Sequence, residues 1–578
     1  MPFSASPALI ATRRPAAERK WDVFAIILVF GFILFLAQTS ASLVGPLSEL
    51  KTAPISLDPD KLPGYAARTM LRMLAALSLS LLFTFSYATL AAKNRRAELL
   101  LIPLLDILQS VPILGFISVT VVFFMSLAPG RVLGAEFAAV FAIFTSQAWN
   151  MAFSLYQSLR TVPLDLDEAA RSMRLSPWMK FWRLEVPFAI PGLVWNMMMS
   201  MSGGWFFVVA SEAIGVGNTT VMLPGIGSYI ALAIEQKNLT AIYWAIGTMG
   251  IVILIYDQLL FRPLVAWADR FRPEQQSNAE PPASWVLSVF RQSQLARQAI
   301  EPLGRLWSAT FRLTMPRMDI SQRRWGPEVP RRVADGIWLA FVSCVTIYTL
   351  WAVATFIAPA IGRQEIAHAV GLAFLTTVRV VLLIIIASLI WVPVGILVGL
   401  RPGLTRLVQP VAQFLAAFPA NLLFPLAVVS IVTLKLHPDI WLSPLMILGT
   451  QWYILFNVIA GAAVIPRELL DVGANFRVGG WNWWRRIALP AVFPYYLTGA
   501  ITASGGSLNA SIVAEAVSWG DTRLEAHGIG AYIASATAKG DFQRIVLGIA
   551  VMSAFVVVLN RLFWRPLYQQ AERRYRLD

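Results

Sequence analysis

The sequence predicts an all-α integral membrane protein with about 12 transmembrane helices in two tandem six-helix modules. Three observations predict it: an apolar composition, a dozen segments of bilayer-spanning length, and a duplication relating the two halves. Of 578 residues, 57% are hydrophobic and only 14% charged, where an ordinary soluble protein carries about a quarter charged. Water is a poor solvent for such a chain, and the bilayer is a better one. The 21 Trp and 34 Phe suit a protein with two membrane–water interfaces to anchor. The net charge of +15 lies largely between apolar segments, so it needs no nucleic acid partner. A single cysteine, Cys344, excludes a disulfide framework, an iron–sulfur cluster and a thiolate zinc site. His368, His437 and His527 show no ligand spacing, so no metal site is expected.

A bilayer core of about 30 Å asks for roughly 20 apolar residues in a helix. Segments that meet this begin near Val23, Ala66, Leu99, Leu133, Val186 and Leu239, and again near Val333, Phe374, Leu407, Ile440, Leu489 and Ile545. Prolines interrupt the segments at Leu99 and Leu407, and an extra short helix is expected after each fifth span. Basic residues cluster at alternate connections: Arg13 to Lys20, Lys93 to Arg96, Arg160 to Arg183 and Arg262 to Arg272. The second half repeats this at Arg331/Arg332, Arg401/Arg406, Arg467 to Arg486 and Arg561 to Arg576. Positive charge favours the cytoplasmic side, so both termini are expected there. The basic N-terminal stretch precedes a full-length apolar run with no small-residue cleavage site, so no cleaved signal peptide is expected.

The expected organisation is a cytoplasmic N-terminus (1–21), a first module (22–265), a cytoplasmic linker (266–332), a second module (333–568) and a cytoplasmic C-terminus (569–578). Within the linker, Glu274 to Pro282 reads as flexible. Trp285 to Phe311 mixes Val286, Val289, Phe290 and Trp307 with Arg291, Arg297 and Arg305. That pattern fits an amphipathic helix on the cytoplasmic leaflet, or a plain tether.

Shifted by 303 residues, Pro163, Pro187 and Pro191 fall on Pro466, Pro490 and Pro494, and Glu212 falls on Glu515. Gly225 to Ile230 (GIGSYI) falls on Gly528 to Ile533 (GIGAYI). Upstream, a shift of 307 brings Arg72, Pro103 and Pro112 onto Arg379, Pro410 and Pro419. The halves are therefore duplicates in parallel topology.

Between the fourth and fifth spans each half carries a polar stretch, Leu164 to Pro187 and Arg467 to Pro490. Each begins after a proline with acidic residues in its first turn, a helix start that the dipole favours. Each breaks at Ser176-Pro177 or Gly479-Gly480, then resumes with aromatics and cations. Such a surface helix–turn–helix is a docking element for another protein. Glu168-Ala169-Ala170 followed by Leu184-Glu185-Val186-Pro187, and more weakly Asp471-Val472-Gly473 followed by Ile487-Ala488-Leu489-Pro490, resemble the EAA loop of ABC-importer permeases. The run Gly505 to Glu515 is similar to the nitrate/sulfonate/taurine branch, and the whole chain to a fused, duplicated permease of ABC-type anion systems. The resemblance implies a type I importer arrangement with a coupling helix in each loop, seated in one of two separate ATPase subunits that hold ATP and Mg. It also implies a periplasmic binding protein, a small anionic solute, and the bacterial inner membrane as location. The coupling residues it implies are Glu168, Ala169, Ala170, Arg174, Ser176, Pro177, Asp471, Gly473, Arg477, Gly479 and Gly480. The motif's glycine is replaced by Arg174 and Arg477, so the turn is expected later, at Pro177 and Gly479.

No lysine follows a glycine, so the chain has no P-loop and no cofactor of its own is expected. Six side chains are pathway candidates: Arg72, Arg379, Glu212, Glu515, Asn509 and Ser511. The two arginines, matched in the second span of each half, either meet an anion or snorkel to the interface. Glu212 and Glu515 favour a structural or gating role. Gly203, Gly204, Gly505 and Gly506 read as close helix packing, and Gln147 and Gln451 as helix–helix hydrogen bonds. The rival reading is a 12-helix secondary transporter driven by an ion gradient, which would need a carboxylate cluster at membrane depth.

Overall fold

The structure, a computed structural model, describes residues 55–110, 113–216, 219–271, 284–294 and 331–575, with isolated positions at 23–31 and 298–305. Most of the span expected from Val23, the stretch Glu274 to Pro282, much of Trp285 to Phe311 and the extreme termini lie outside them. Two compact units result. The larger holds residues 42–160, 195–254 and 327–578, and the smaller includes 161–194 and 255–326. This division does not follow the duplication.

Among the described residues, eight helices are long and apolar enough to cross a bilayer: Pro59–Lys93, Val132–Arg160, Pro177–Glu212, Leu239–Phe271, Trp338–Ile357, Arg363–Gly399, Gly480–Ala514 and Phe542–Ala571. Two bent pairs bring the number to ten: Pro402–Ala417 with Ala420–Thr433, and Pro438–Ile447 with Gln451–Ala463. The Leu99 segment forms two helices, Arg95–Ser110 and Ile113–Leu127. Helix is the only open-chain solution in lipid, because every backbone N–H and C=O must be paired within the segment. Exposed Leu82, Leu389, Ile390 and Leu407 would be costly in water, but they match hydrocarbon.

Small residues hold the helices together. On Val132–Arg160, Ala135, Ala138, Ala139, Ala142, Ala148 and Ala152 are buried and let the Pro59–Lys93 helix approach closely. In the second half a Cβ on Gly399 would lie 2.6 Å from that of Ala462, and one on Gly499 would lie 2.6 Å from the Tyr453 carbonyl.

Both segments are interrupted as expected, but not every proline in them marks a break. Pro103 and Pro410 stay inside helices. In the second half the break comes at Phe418, which is extended (φ −70°, ψ 127°) because Pro419 disfavours helical backbone before it. The axis then turns by 77°. The fourth span is continuous in the first half but bent by 42° in the second.

Two small hairpins follow the fifth spans, and sequence reading missed both. Strand β1 (Ala213–Val216) pairs antiparallel with β2 (Thr219–Met222), and β3 (Ala516–Trp519) with β4 (Thr522–Glu525). The extra short helices are present at Ile226–Glu235 and Ile529–Lys539. Four π-helical turns also obey the 303 shift: Phe181–Glu185 matches Trp484–Ala488, and Asp257–Phe261 matches Asn560–Trp564.

In the linker, the described helix Trp285–Gln292 buries Val286 and Val289 and packs on Arg262–Ala268. Protein covers those two apolar positions, while Trp285 is exposed.

Candidate functional site

The first polar loop folds as read. Leu164–Ser172 is helical behind Pro163, with Asp165 and Asp167 in its first turn. Pro177–Lys180 then starts a second helix, capped by the Ser176 hydroxyl, which accepts from the Met179 N–H at 3.2 Å. Ala170 is buried, whereas Leu164, Leu166 and Met173 are exposed. Lys180 bridges Asp167 and, at 3.5 Å, Glu185, while Arg171 pairs with Asp167 at 2.7 Å. The Lys180 hydrogen bond holds the Asp167 carboxyl below the usual carboxylate range.

The turn is not displaced to Pro177 and Gly479. Arg174 (φ 51°) and Arg477 (φ 50°) themselves take the left-handed conformation. The Arg174 N–H donates to the Arg171 carbonyl at 2.9 Å, and the Leu175 N–H to that of Ala170 at 3.1 Å. In the second loop the Arg477 N–H donates to Ala474 at 3.0 Å, and the Val478 N–H to Gly473 at 2.8 Å. These are paired Schellman closures. Substituting arginine for glycine leaves the backbone path intact and raises only its energy.

The second loop has helix Arg467–Asn475, then Gly480–Trp483 with Gly479 at its cap position. Gly473, the counterpart of Ala170, lies against Ile487, whose Cδ1 would be 2.5 Å from an added Cβ. Val472, Phe476 and Trp481 are exposed. Phe476 matches Met173 under the 303 shift, so each loop projects a bare apolar side chain just before its reversal. Glu168 and Asp471 occupy matched positions on the two helices.

Four of the pathway candidates come together in two charge clusters. Arg72 is 1% exposed. Its Nε and Nη2 donate to both oxygens of Glu136 at 2.6 Å, and its Nη1 to Glu212 at 2.7 Å and to the Pro224 carbonyl at 3.1 Å. Arg72 therefore does not snorkel. Four of its five N–H donors already have partners. Glu212 also accepts from Thr69 and from the Gly227 N–H, both at 2.7 Å, which places a carboxylate at the N-terminus of the short helix, where the dipole favours it.

The second half brings the matched residues together in a looser arrangement. Arg379 donates to Asp439 at 2.9 Å and to the His527 carbonyl at 2.7 Å, with Glu515 at 3.6 Å. Thr376 and the Gly530 N–H donate to Glu515 at 2.7 Å. Sequence reading missed Glu136, Asp439, Thr69 and Thr376. The signal was present: Glu136 falls on Asp439 at 303, and Thr69 on Thr376 at 307. The second cluster is more open, with Arg379 12% and Asp439 23% exposed.

The side chains of the other two candidates hydrogen-bond to carbonyls of their own helix. Ser511 is buried and donates to the Leu508 carbonyl of its own helix at 2.8 Å, and Asn509 donates to Gly505 at 3.4 Å. A Cβ at Gly204 or Gly506 would strike Gln147 or Thr450, but one at Gly203 or Gly505 would meet nothing, so close packing holds for two of the four glycines. Gln451 accepts from Trp391 at 2.9 Å, and Gln147 contacts the sulfurs of Met73 and Met201; these are contacts between helices. Among the described residues, no group of three or more His, Cys, Asp and Glu is placed to hold a metal.

The model of the binding-protein-dependent transport system inner membrane component matches residues 81–270 and again 391–576. The chain belongs to this family. It is a duplicated ABC-importer permease, and the matched segments contain both polar loops. It is similar to the bicarbonate transport system permease protein CmpB of Synechococcus elongatus, 25% identical over 279 residues, or 45% of this chain and 94% of that protein. It is also 26% identical over 244 residues to a probable ABC transporter permease protein of Brucella abortus, covering 42% of this chain and 92% of that one. The nitrate import permease protein NrtB of Synechocystis is 25% identical over 267 residues, 45% of this chain and 89% of the relative. Each relative is thus matched nearly end to end by less than half of this permease.

Proposed function

We propose that this permease supplies both membrane halves of an ATP-driven importer, which moves a small anion of the bicarbonate, nitrate or sulfonate class into the cytoplasm by alternating access. The observation that carries the proposal is the twin loop geometry: the same left-handed reversal at Arg174 and Arg477, each preceded by an exposed apolar side chain. Two loops of one shape fit two ATPase subunits of one fold, which hold ATP and Mg and do the hydrolysis. The permease itself is then a transport subunit and not an enzyme. A periplasmic binding protein delivers the solute. The loops and both termini face the cytoplasm of a bacterium, with the chain in its inner membrane. The anion class rests on the bicarbonate and nitrate relatives.

In this reading Arg72 and Arg379 are not bare anion ligands. With Glu212 and Glu515 they clamp helix ends together, and a solute contact by Asn509 or Ser511 requires the fifth span to rearrange. The test is to co-purify the permease with its ATPases and reconstitute the complex with binding protein. Uptake of labelled bicarbonate and nitrate should require ATP and ignore a protonophore. Uptake that survives without ATP and collapses with the protonophore would establish the secondary-transporter reading instead.

A further inference from the structure

The hairpin of the second half reaches the short helix of the first. The tip of β3–β4 is a two-residue loop, Gly520-Asp521, between Trp519 and Thr522. The Gly520 N–H donates to the Ile234 carbonyl at 3.0 Å, in the last turn of Ile226–Glu235. Asp521 pairs with Lys237 at 3.0 Å. Gly520 has φ 55°, and a Cβ there would collide with the Lys237 side chain, so any other residue would strain the turn and displace the lysine. Lys237 is itself held in the left-handed conformation (φ 56°), which aims its side chain at the hairpin. The base of the hairpin is fixed: the Ala526 N–H donates to the Glu515 carbonyl at 2.8 Å, and Glu515 belongs to the buried cluster. A rigid arm thus presents a soft tip. The tip lies beyond the 35-residue helix Gly480–Ala514, roughly 50 Å along the axis from the second coupling loop at 1.5 Å per residue.

The first hairpin makes the reciprocal approach, with β1 against Ile529–Lys539. Under the 303 shift, however, Lys237 becomes Gly540 and Asp521 becomes Asn218, so no such ion pair can form there. The device is one-sided.

We propose that the Gly520-Asp521 tip and Lys237 form a latch that holds the two halves together at the end of the fifth span opposite the second coupling loop, and that it opens once per transport cycle. This rests on the alternating-access reading above. A solvent-exposed ion pair with one backbone hydrogen bond is weak enough to break repeatedly. A buried pair of the Arg72 kind would not be.

The test uses the full complex with Cys344→Ser, Lys237→Cys and Asp521→Cys, bridged by a short, reducible bis-methanethiosulfonate. ATP-driven uptake before bridging is measured first. If the wild-type complex also shows none, the importer reading fails and not the latch. Given uptake, the bridge should abolish it and reductant should restore it. A bridged complex that takes up solute at the unbridged rate overturns the latch. Charge variants give an independent check. Lys237→Glu should raise basal ATP hydrolysis, and adding Asp521→Lys should return it to the wild-type level. Basal hydrolysis unaltered in both variants counts against the proposal.

Discussion

At Arg72 one guanidinium holds two carboxylates in a dry site, and removing it takes a buried ion pair from each. Breaking a buried ion pair by deleting one partner costs about 3–5 kcal/mol. Arg72→Met should therefore sharply lower the melting temperature of the purified protein. Arg379→Met should lower it less, because Asp439 is part-exposed and keeps the His527 N–H at 2.6 Å. Equal losses in the two variants would show that burial does not set the difference. Arg174 and Arg477 make the opposite case. A left-handed non-glycine residue carries a strain of about 1–2 kcal/mol, so Arg174→Gly should fold at least as well as wild type, and Arg174→Val should not. Thermal unfolding of the two variants decides this. At Asp167 the sign follows from its lowered pKa: the Lys180 link is fully formed above the ordinary carboxylate range and is lost as pH falls through the depressed value. Amide-exchange protection over Leu164–Ser172 should hold down to about pH 4 and drop below it, and Asp167→Asn should show the reduced protection already at neutral pH.

The elements are positioned by close approaches. Gly227 lies against the Val209 carbonyl and Gly530 against that of Ser511, where an added Cβ would overlap backbone, while the same atom at Gly203 meets open space. Gly227→Ala and Gly530→Ala should each destabilise by about 1–3 kcal/mol, the usual cost of overpacking. Gly203→Ala should be near neutral. Differential scanning of the three variants in one detergent tests the contrast. The duplicated π-turns belong to this scale too. Each adds a residue to a helix at the same place in both halves, and such turns are seldom retained without a positional role. Two of them join a polar loop to its fifth span, so they set the rotation at which that loop leaves the membrane helix.

For the whole molecule, duplication supplies two equal sets of parts and divergence makes them unequal. The fourth span is straight in one half and bent in the other, the charge cluster is sealed in one and open in the other, and the Asp521 of one hairpin tip is matched by Asn218 in the other. Transport by such a chain need not be symmetric. Impairing one loop at a time tests this. Ala170→Glu and Gly473→Glu each bury a charge where the loop packs, and the two should reduce ATP-dependent uptake to different extents.

The membrane class, the duplication, the loops and the short helices after each fifth span were readable in the sequence, because each depends on local composition or on a repeat in register. Glu136 was equally visible but went unremarked, since a lone acid in an apolar run does not name its partner. The pairing of Arg72 with Glu136 and Glu212, the reversal at two arginines, and the reach of one hairpin to the other half were decided by tertiary structure alone. Hydropathy and spacing record which solvent a residue prefers and which helix face it shares. They do not record which distant side chain satisfies it, and in a low-dielectric interior that partner determines whether a charge is a ligand, a snorkel or a clamp.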